Sequence, residues 1–92
     1  MELRHLQYFK RVAELEHLTK AASELYITQS HLSHVIIELE TELGVKLFDR
    51  VGRGVRLNPC GREFYRDVVR LFYEYEDAKK KAQDNYKRQS TQ

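Results

Sequence analysis

Residues 19–44 read TKAASELYITQSHLSHVIIELETELG, and this stretch decides the fold. Within it Leu32, Val35, Ile36, Leu39 and Leu43 fall on one stripe at 100° per residue, the pattern of a helix with one buried face. Thr28 stands where an N-cap is needed and Gly44 where the helix must stop, so the spacing predicts a helix from Gln29 to Leu43. Its opposite face carries Ser30, Ser33, His34, Ile37 and Thr41. Short or hydrogen-bonding side chains dominate that face near the helix start, and Ile37 is the apolar exception. Upstream, Thr19 reads as the N-cap of a shorter helix through Leu25, whose Ala21 and Ala22 let a neighbouring helix approach closely. Tyr26-Ile27-Thr28 leaves room only for a tight connection. Two helices joined in this way form a helix-turn-helix.

Outward from this stretch, Leu3, Leu6, Phe9 and Ala13, with Val12 flanking, predict an amphipathic helix from Glu2 to about Glu16. On the other side, Leu47-Phe48-Asp49-Arg50-Val51 and Val55-Arg56-Leu57 read as two short strands. Gly52-Arg53-Gly54 turns between them, the glycines supplying positive φ. Asn58-Pro59 then opens a last helix, Asn as N-cap and Pro at the first helical position. With no Gly or Pro after Gly61, it should run to about Lys87. Along it Phe64, Val68, Leu71, Tyr75, Ala78 and Ala82 alternate four and three apart, with Phe72 beside them, as in a coiled-coil seam. A helix about 45 Å long carries more seam than a small head can cover, so a partner helix is expected. The expected fold is mainly α. A winged helix-turn-helix of three helices and a two-stranded wing spans residues 1–58, a long dimerisation helix spans 59–88, and 89–92 form a disordered tail.

Composition agrees with one small domain: 92 residues, 41% hydrophobic and 33% charged. The longest apolar run is Val35-Ile36-Ile37, far short of a membrane span or a secretory leader. Cys60 has no second cysteine with which to form an internal disulfide. The net charge of +2 hides opposed blocks. Gln29 to Leu43 holds Glu38, Glu40 and Glu42 and no Lys or Arg, whereas Arg50 to Leu57 holds Arg50, Arg53 and Arg56 and no acid. A local arginine cluster matters more for a phosphate contact than the total does. No nucleophile-base spacing, phosphate loop or ligand cluster points to an enzyme. His31 and His34 lie about 60° apart on their helix without a third ligand nearby, so no metal is expected. Glu38, Glu40 and Glu42 read as a solvated face, with a structural partner open to Glu40. Cys60 reads as a small buried side chain rather than a redox switch.

The residues themselves are similar to a known family. Met1-Glu2-Leu3-Arg4-His5-Leu6 with Phe9 is followed by Thr19-Lys20-Ala21-Ala22, then Ile27-Thr28-Gln29 with Leu32-Ser33. Leu39-Glu40, Leu43-Gly44-Val45, Leu47-Phe48-Asp49-Arg50 and Gly52-Arg53-Gly54-Val55-Arg56-Leu57-Asn58-Pro59-Cys60-Gly61 complete the series. In this order the chain resembles the N-terminal DNA-binding domain and linker helix of a LysR-type transcriptional regulator, over roughly residues 1–85 without gaps. The resemblance implies double-stranded DNA as partner, a homodimer through the long helix, and tetramers in the full-length protein. It also implies a bacterial, cytoplasmic regulator with no cofactor in this part. A small-molecule effector would bind only through a C-terminal domain that lies outside this chain.

The resemblance implies DNA contacts from Thr28, Gln29, Ser33 and the wing arginines. The full candidate set is Thr28, Gln29, Ser30, His31, Ser33, His34, Ile37, Arg50, Arg53 and Arg56. Chemistry supports it: Gln can pair bidentately with adenine, Ser can donate or accept, and a capped helix N-terminus favours a phosphate. Arg53, between two glycines at a hairpin tip, is placed for a minor groove. Arg50 is also free to pair with Asp49 or a glutamate of the third helix. Ile37 suits a thymine methyl, or is a singly exposed isoleucine. The family commonly has Pro at Ser30, Arg at His34, Gln at Val35 and basic residues at Ile37 and Glu38, so the third helix has fewer phosphate-gripping charges than is usual. The seam set is Phe64, Val68, Leu71, Phe72, Tyr75, Ala78 and Ala82. The other functional reading is a dimerising protein-interaction module whose acidic third helix and exposed Ile37 contact protein.

Overall fold

The computed structural model describes residues 1–52 and 54–90. In chain order it comprises α1 (Leu3–Leu15), α2 (Leu18–Leu25), α3 (Gln29–Leu43), β1 (Phe48–Val51), β2 (Gly54–Leu57) and α4 (Pro59–Ser90). The three short helices enclose a core in which Phe9, Val12, Ala21, Leu32 and Leu47 are fully buried. β1 and β2 pair antiparallel in the register Phe48↔Leu57, Asp49↔Arg56, Arg50↔Val55 and Val51↔Gly54. Phe48 and Val55 turn inward to join that core.

Local chemistry explains most boundaries. Thr28 accepts a hydrogen bond from the His31 amide and caps α3 as expected. Gly44, at φ 75°, ends α3 in the left-handed conformation that glycine adopts without strain. Asn58 caps α4, its Oδ1 accepting from the Gly61 amide at 2.7 Å. The start of α2 differs from expectation. His17, not Thr19, is the cap, its Nδ1 accepting from the Lys20 amide at 3.1 Å. Thr19 lies inside the first turn, which leaves its hydroxyl free for a different partner. In the wing, β1 begins at Phe48 rather than Leu47. Of the two flanking glycines only Gly52 has positive φ, at 56°, because Gly54 already pairs with Val51 in the ladder. α4 runs past Lys87 to Ser90, so Gln89 and Ser90 are helical rather than part of a tail, and residues 91–92 lie outside the described ones.

Two carboxylates tie the wing to the helices. Glu40, on α3, is buried, and its Oε2 accepts the amides of Leu47 at 2.7 Å and Phe48 at 3.3 Å. It is therefore not part of a solvated acidic face, although Glu38 and Glu42 are exposed. Burial is tolerable because two backbone donors replace water at the carboxylate. Glu16, left-handed at φ 51°, closes α1 and accepts from the Leu57 amide at 2.9 Å. Where the wing meets α4 the chains touch closely: a Cβ at Gly61 would lie 2.0 Å from the Leu47 carbonyl oxygen. Only glycine fits there.

The base of α4 belongs to the head. Val68 is buried in the core, and Phe64, Tyr65 and Phe72 pack against it, with the Phe9 and Phe64 ring centroids 5.0 Å apart. Tyr65 also donates its phenolic hydrogen to Glu14 at 2.9 Å. The structure thus corrects the seam. Phe64, Val68 and Phe72 are taken up by the protein's own core, because a four-and-three spacing marks an apolar stripe without naming what covers it. Leu71 and Tyr75 remain 41% and 43% exposed, and Ala78 and Ala82 are exposed as well. Cys60 is also exposed, contrary to the expectation of a buried side chain. It sits in the first turn of α4, next to the buried Gly61.

Candidate nucleic-acid interface

The first turns of α3 form an open, hydrogen-bonding surface. Gln29, Ser30, His31 and His34 are exposed, Ser33 is half-buried, and no carboxylate occurs from Leu25 to Ile37. The free amides at the start of α3 and the helix dipole make this end electropositive without any lysine or arginine on the helix. Thr28 occupies one of those amides and leaves the surface open to solvent. Tyr26, in the connecting turn, is 94% exposed and left-handed at φ 59°. The Ile27 amide reaches back to the Ala22 carbonyl and closes that turn tightly.

Side chains on this surface are not all equally free. Gln29 Oε1 accepts the Thr19 hydroxyl at 2.8 Å. His34 Nε2 lies 2.8 Å from Glu38 Oε1, one turn along the helix. His31 leans toward α1, where its ring meets Tyr8 edge-on at 6.5 Å between centroids. Ser30 is exposed, and Ile37 is 48% exposed.

Between α3 and the wing lies a cleft of about 340 Å³, whose walls include Ser33, Ile37, Lys46 and Arg50. Strand alternation explains the arrangement. Arg50 shares a ribbon face with Phe48, opposite Val55, and so turns toward α3. Arg56, paired across from Asp49, lies on the other face and is exposed. The structure therefore brings Ser33, Ile37 and Arg50 together and holds Arg56 apart from them. Arg50 pairs neither with Asp49 nor with a glutamate of α3, and among the described residues it makes no ion pair. Arg53 lies outside the described residues. Sequence reasoning missed Thr19 and Lys46. Thr19 reads in sequence as a cap that His17 supplies, and Lys46 sits outside both predicted elements.

Among the described residues no group of three His, Cys, Asp or Glu is placed to hold a metal ion, and no helix is long and apolar enough to cross a membrane.

Comparison with known proteins gives this surface a context. Residues 3–62 match the model of a bacterial regulatory helix-turn-helix protein, lysR family. The chain is 47% identical over 83 residues to the uncharacterized HTH-type transcriptional regulator YybE of Bacillus subtilis, covering 90% of this chain and 28% of that protein. It is 48% identical over 71 residues to the HTH-type transcriptional regulator BenM of Acinetobacter baylyi, covering 77% of this chain and 23% of that one. The chain thus spans about a quarter of the length of these relatives. Among solved structures, the BenM DBD in complex with benA site 1 DNA superposes with TM-score 0.80 at 44% identity, covering 85% of this chain and 88% of that one. The CbnR DBD–DNA complex gives 0.85 at 32% identity, covering 90% and 95%.

Proposed function

The chain belongs to the LysR family of bacterial regulatory helix-turn-helix proteins, and from this premise we propose that it binds double-stranded DNA in a sequence-specific manner as a symmetric homodimer, acting as the DNA-binding part of a cytoplasmic transcription regulator. The first turns of α3 lie in the major groove, and the wing, residues 50–57, grips the flanking minor groove. The observation that carries this reading is the solvent-open, acid-free N-terminal half of α3, capped by Thr28 and bearing Gln29, Ser30, His31, Ser33 and His34. Hydrogen-bonding side chains at the start of a protruding helix are what base edges require. The likeness to two domains solved on DNA supports it.

The exposed outer stripe of α4, with Leu71, Tyr75, Ala78 and Ala82, carries dimerisation. A twofold dimer requires an inverted repeat with half-sites about one helical turn, or a multiple of it, apart. Selection of the domain on random 30-base-pair duplexes at about 100 mM salt tests this directly. An enriched inverted repeat is expected. Binding without enrichment would mean grip without readout, and absence of binding would favour a protein-interaction module built on Ile37 and the acidic end of α3.

A further inference from the structure

Gln29 is the first residue of α3, and its carboxamide oxygen is already occupied. Thr19 Oγ1 donates to Gln29 Oε1 at 2.8 Å, across the junction between the first turns of α2 and α3. Thr19 is available for this because His17 has taken over the cap of α2. We infer that Thr19 is a positioning residue that fixes the Gln29 carboxamide as a hydrogen-bond donor toward the major groove, so that this position of each half-site is read for acceptor groups rather than through the bidentate adenine pair. The inference rests on the DNA-binding reading above and specifies what that surface selects.

The chemistry follows from the edges of the bases. A bidentate Gln–adenine pair needs the amide oxygen to accept from N6 and the amide nitrogen to donate to N7, both in one plane. With Oε1 drawn toward Thr19, the oxygen is turned away from the groove and only the two N–H groups project outward. Guanine presents two major-groove acceptors, N7 and O6, and thymine presents O4, whereas adenine offers N7 only beside the N6 donor, which faces a second donor. Cytosine presents a donor and is disfavoured. Local fields favour the same orientation. The negative end of the carboxamide lies by the N-terminal end of α2, where the helix dipole is positive, and the positive end faces the phosphate-lined groove. Both side chains are exposed in the free protein, so the bond is weak there. Exclusion of water on DNA binding strengthens it at the moment when selection occurs.

The test uses the 92-residue chain and its selected duplex, with the base pair facing Gln29 varied four ways in a wild-type, Thr19→Val, Gln29→Ala and double-variant set. Valine removes the hydroxyl at nearly constant volume on an exposed turn, so the fold survives; matching circular dichroism melts verify this. The wild type should prefer guanine or thymine at that base by about tenfold over cytosine. Thr19→Val should raise the relative affinity for adenine by about fivefold, as the freed oxygen turns to the groove. Gln29→Ala should flatten the position, and Thr19→Val added to it should change nothing further. A wild-type preference for adenine or cytosine overturns the inference. So does a Thr19→Val effect that is equal on all four base pairs or persists without Gln29. A wild-type domain that binds no duplex overturns the DNA reading itself, and this inference with it.

Discussion

Replacing Glu40 by alanine deletes what is, among the described residues, the side-chain acceptor for two consecutive backbone amides at the entrance to the wing. The Leu47 amide, at 2.7 Å, belongs to a residue with no exposed surface, and the Phe48 amide, at 3.3 Å, to one that is 9% exposed. Water reaches neither donor easily. A short bond to a charged acceptor is worth about 2 kcal/mol and the longer one about 1 kcal/mol, and the orphaned Leu47 donor keeps the loss from being recovered. Glu40→Ala should therefore cost about 3 kcal/mol, a large share of the stability of a domain this small. Glu40→Gln retains a carbonyl oxygen in the same place and loses only the charge assistance, so about 1 kcal/mol is expected. Urea denaturation of the two variants, followed by circular dichroism, measures the difference. If alanine and glutamine cost the same, or alanine costs less than about 1 kcal/mol, the two amides find other partners and Glu40 does not hold the wing.

Four other outcomes are expected. Burial pushes the Glu14 carboxyl up, but hydrogen bonds from Lys10, Tyr65 and Arg11 outweigh it and hold the group below its ordinary 4.5, so its stabilisation is lost as pH falls through the lowered value. Burial first, then the bond to Glu14, pushes the Tyr65 phenol above 10.0, so its contribution is present below pH 10.0 and is lost as pH rises through the raised value. Tyr65→Phe should shrink the acid limb and remove its own alkaline limb in urea midpoints recorded across pH, and an unchanged profile at both ends would refute the coupling. Phe64→Ala or Val68→Ala should cost the head about 2–4 kcal/mol. Tyr75→Glu with Ala78→Glu should instead leave the head folded and sediment as a monomer; loss of head structure in that variant would mean that the outer stripe is not a free seam. On DNA, the salt slope should reflect roughly three to five phosphates per subunit, and His34→Arg should steepen it by about 0.9 per subunit. An unaltered slope would place residue 34 away from the backbone.

Capping and periodicity made α3 legible to the residue, since Thr28, Gly44 and the stripe from Leu32 to Leu43 are all local signals. Asn58-Pro59 marked the start of α4 for the same reason. What escaped was non-local or chemically ambiguous. Histidine is a poor predictor of a cap, so His17 went unread and Thr19 was credited with its role. Glu40 has partners seven and eight residues downstream, invisible to a helical wheel that sorts residues only by angle. The apolar repeat of α4 was seen correctly as a stripe, but which part the head covers depends on where α1 lies. The site was legible as a set of residue types on one face. The polarity of Gln29 and the division of Arg50 and Arg56 between two ribbon faces required coordinates.

The segment around Leu47 has a mechanical consequence. Its amide is held by α3 through Glu40, its carbonyl accepts the Asn58 amide at 3.0 Å, and the Lys46 carbonyl accepts the Asn58 side chain at 2.9 Å. Gly61 closes the same spot from the α4 side. Among the described residues, α3, the Leu47 segment and the start of α4 are thus joined at one point. A force on α4 therefore bears on α3 through these bonds. In the DNA-bound homodimer proposed above, the pitch between two heads then follows the bending and sliding of the α4 shafts, so the stiffness of one long helix sets how much DNA curvature the proposed pair tolerates.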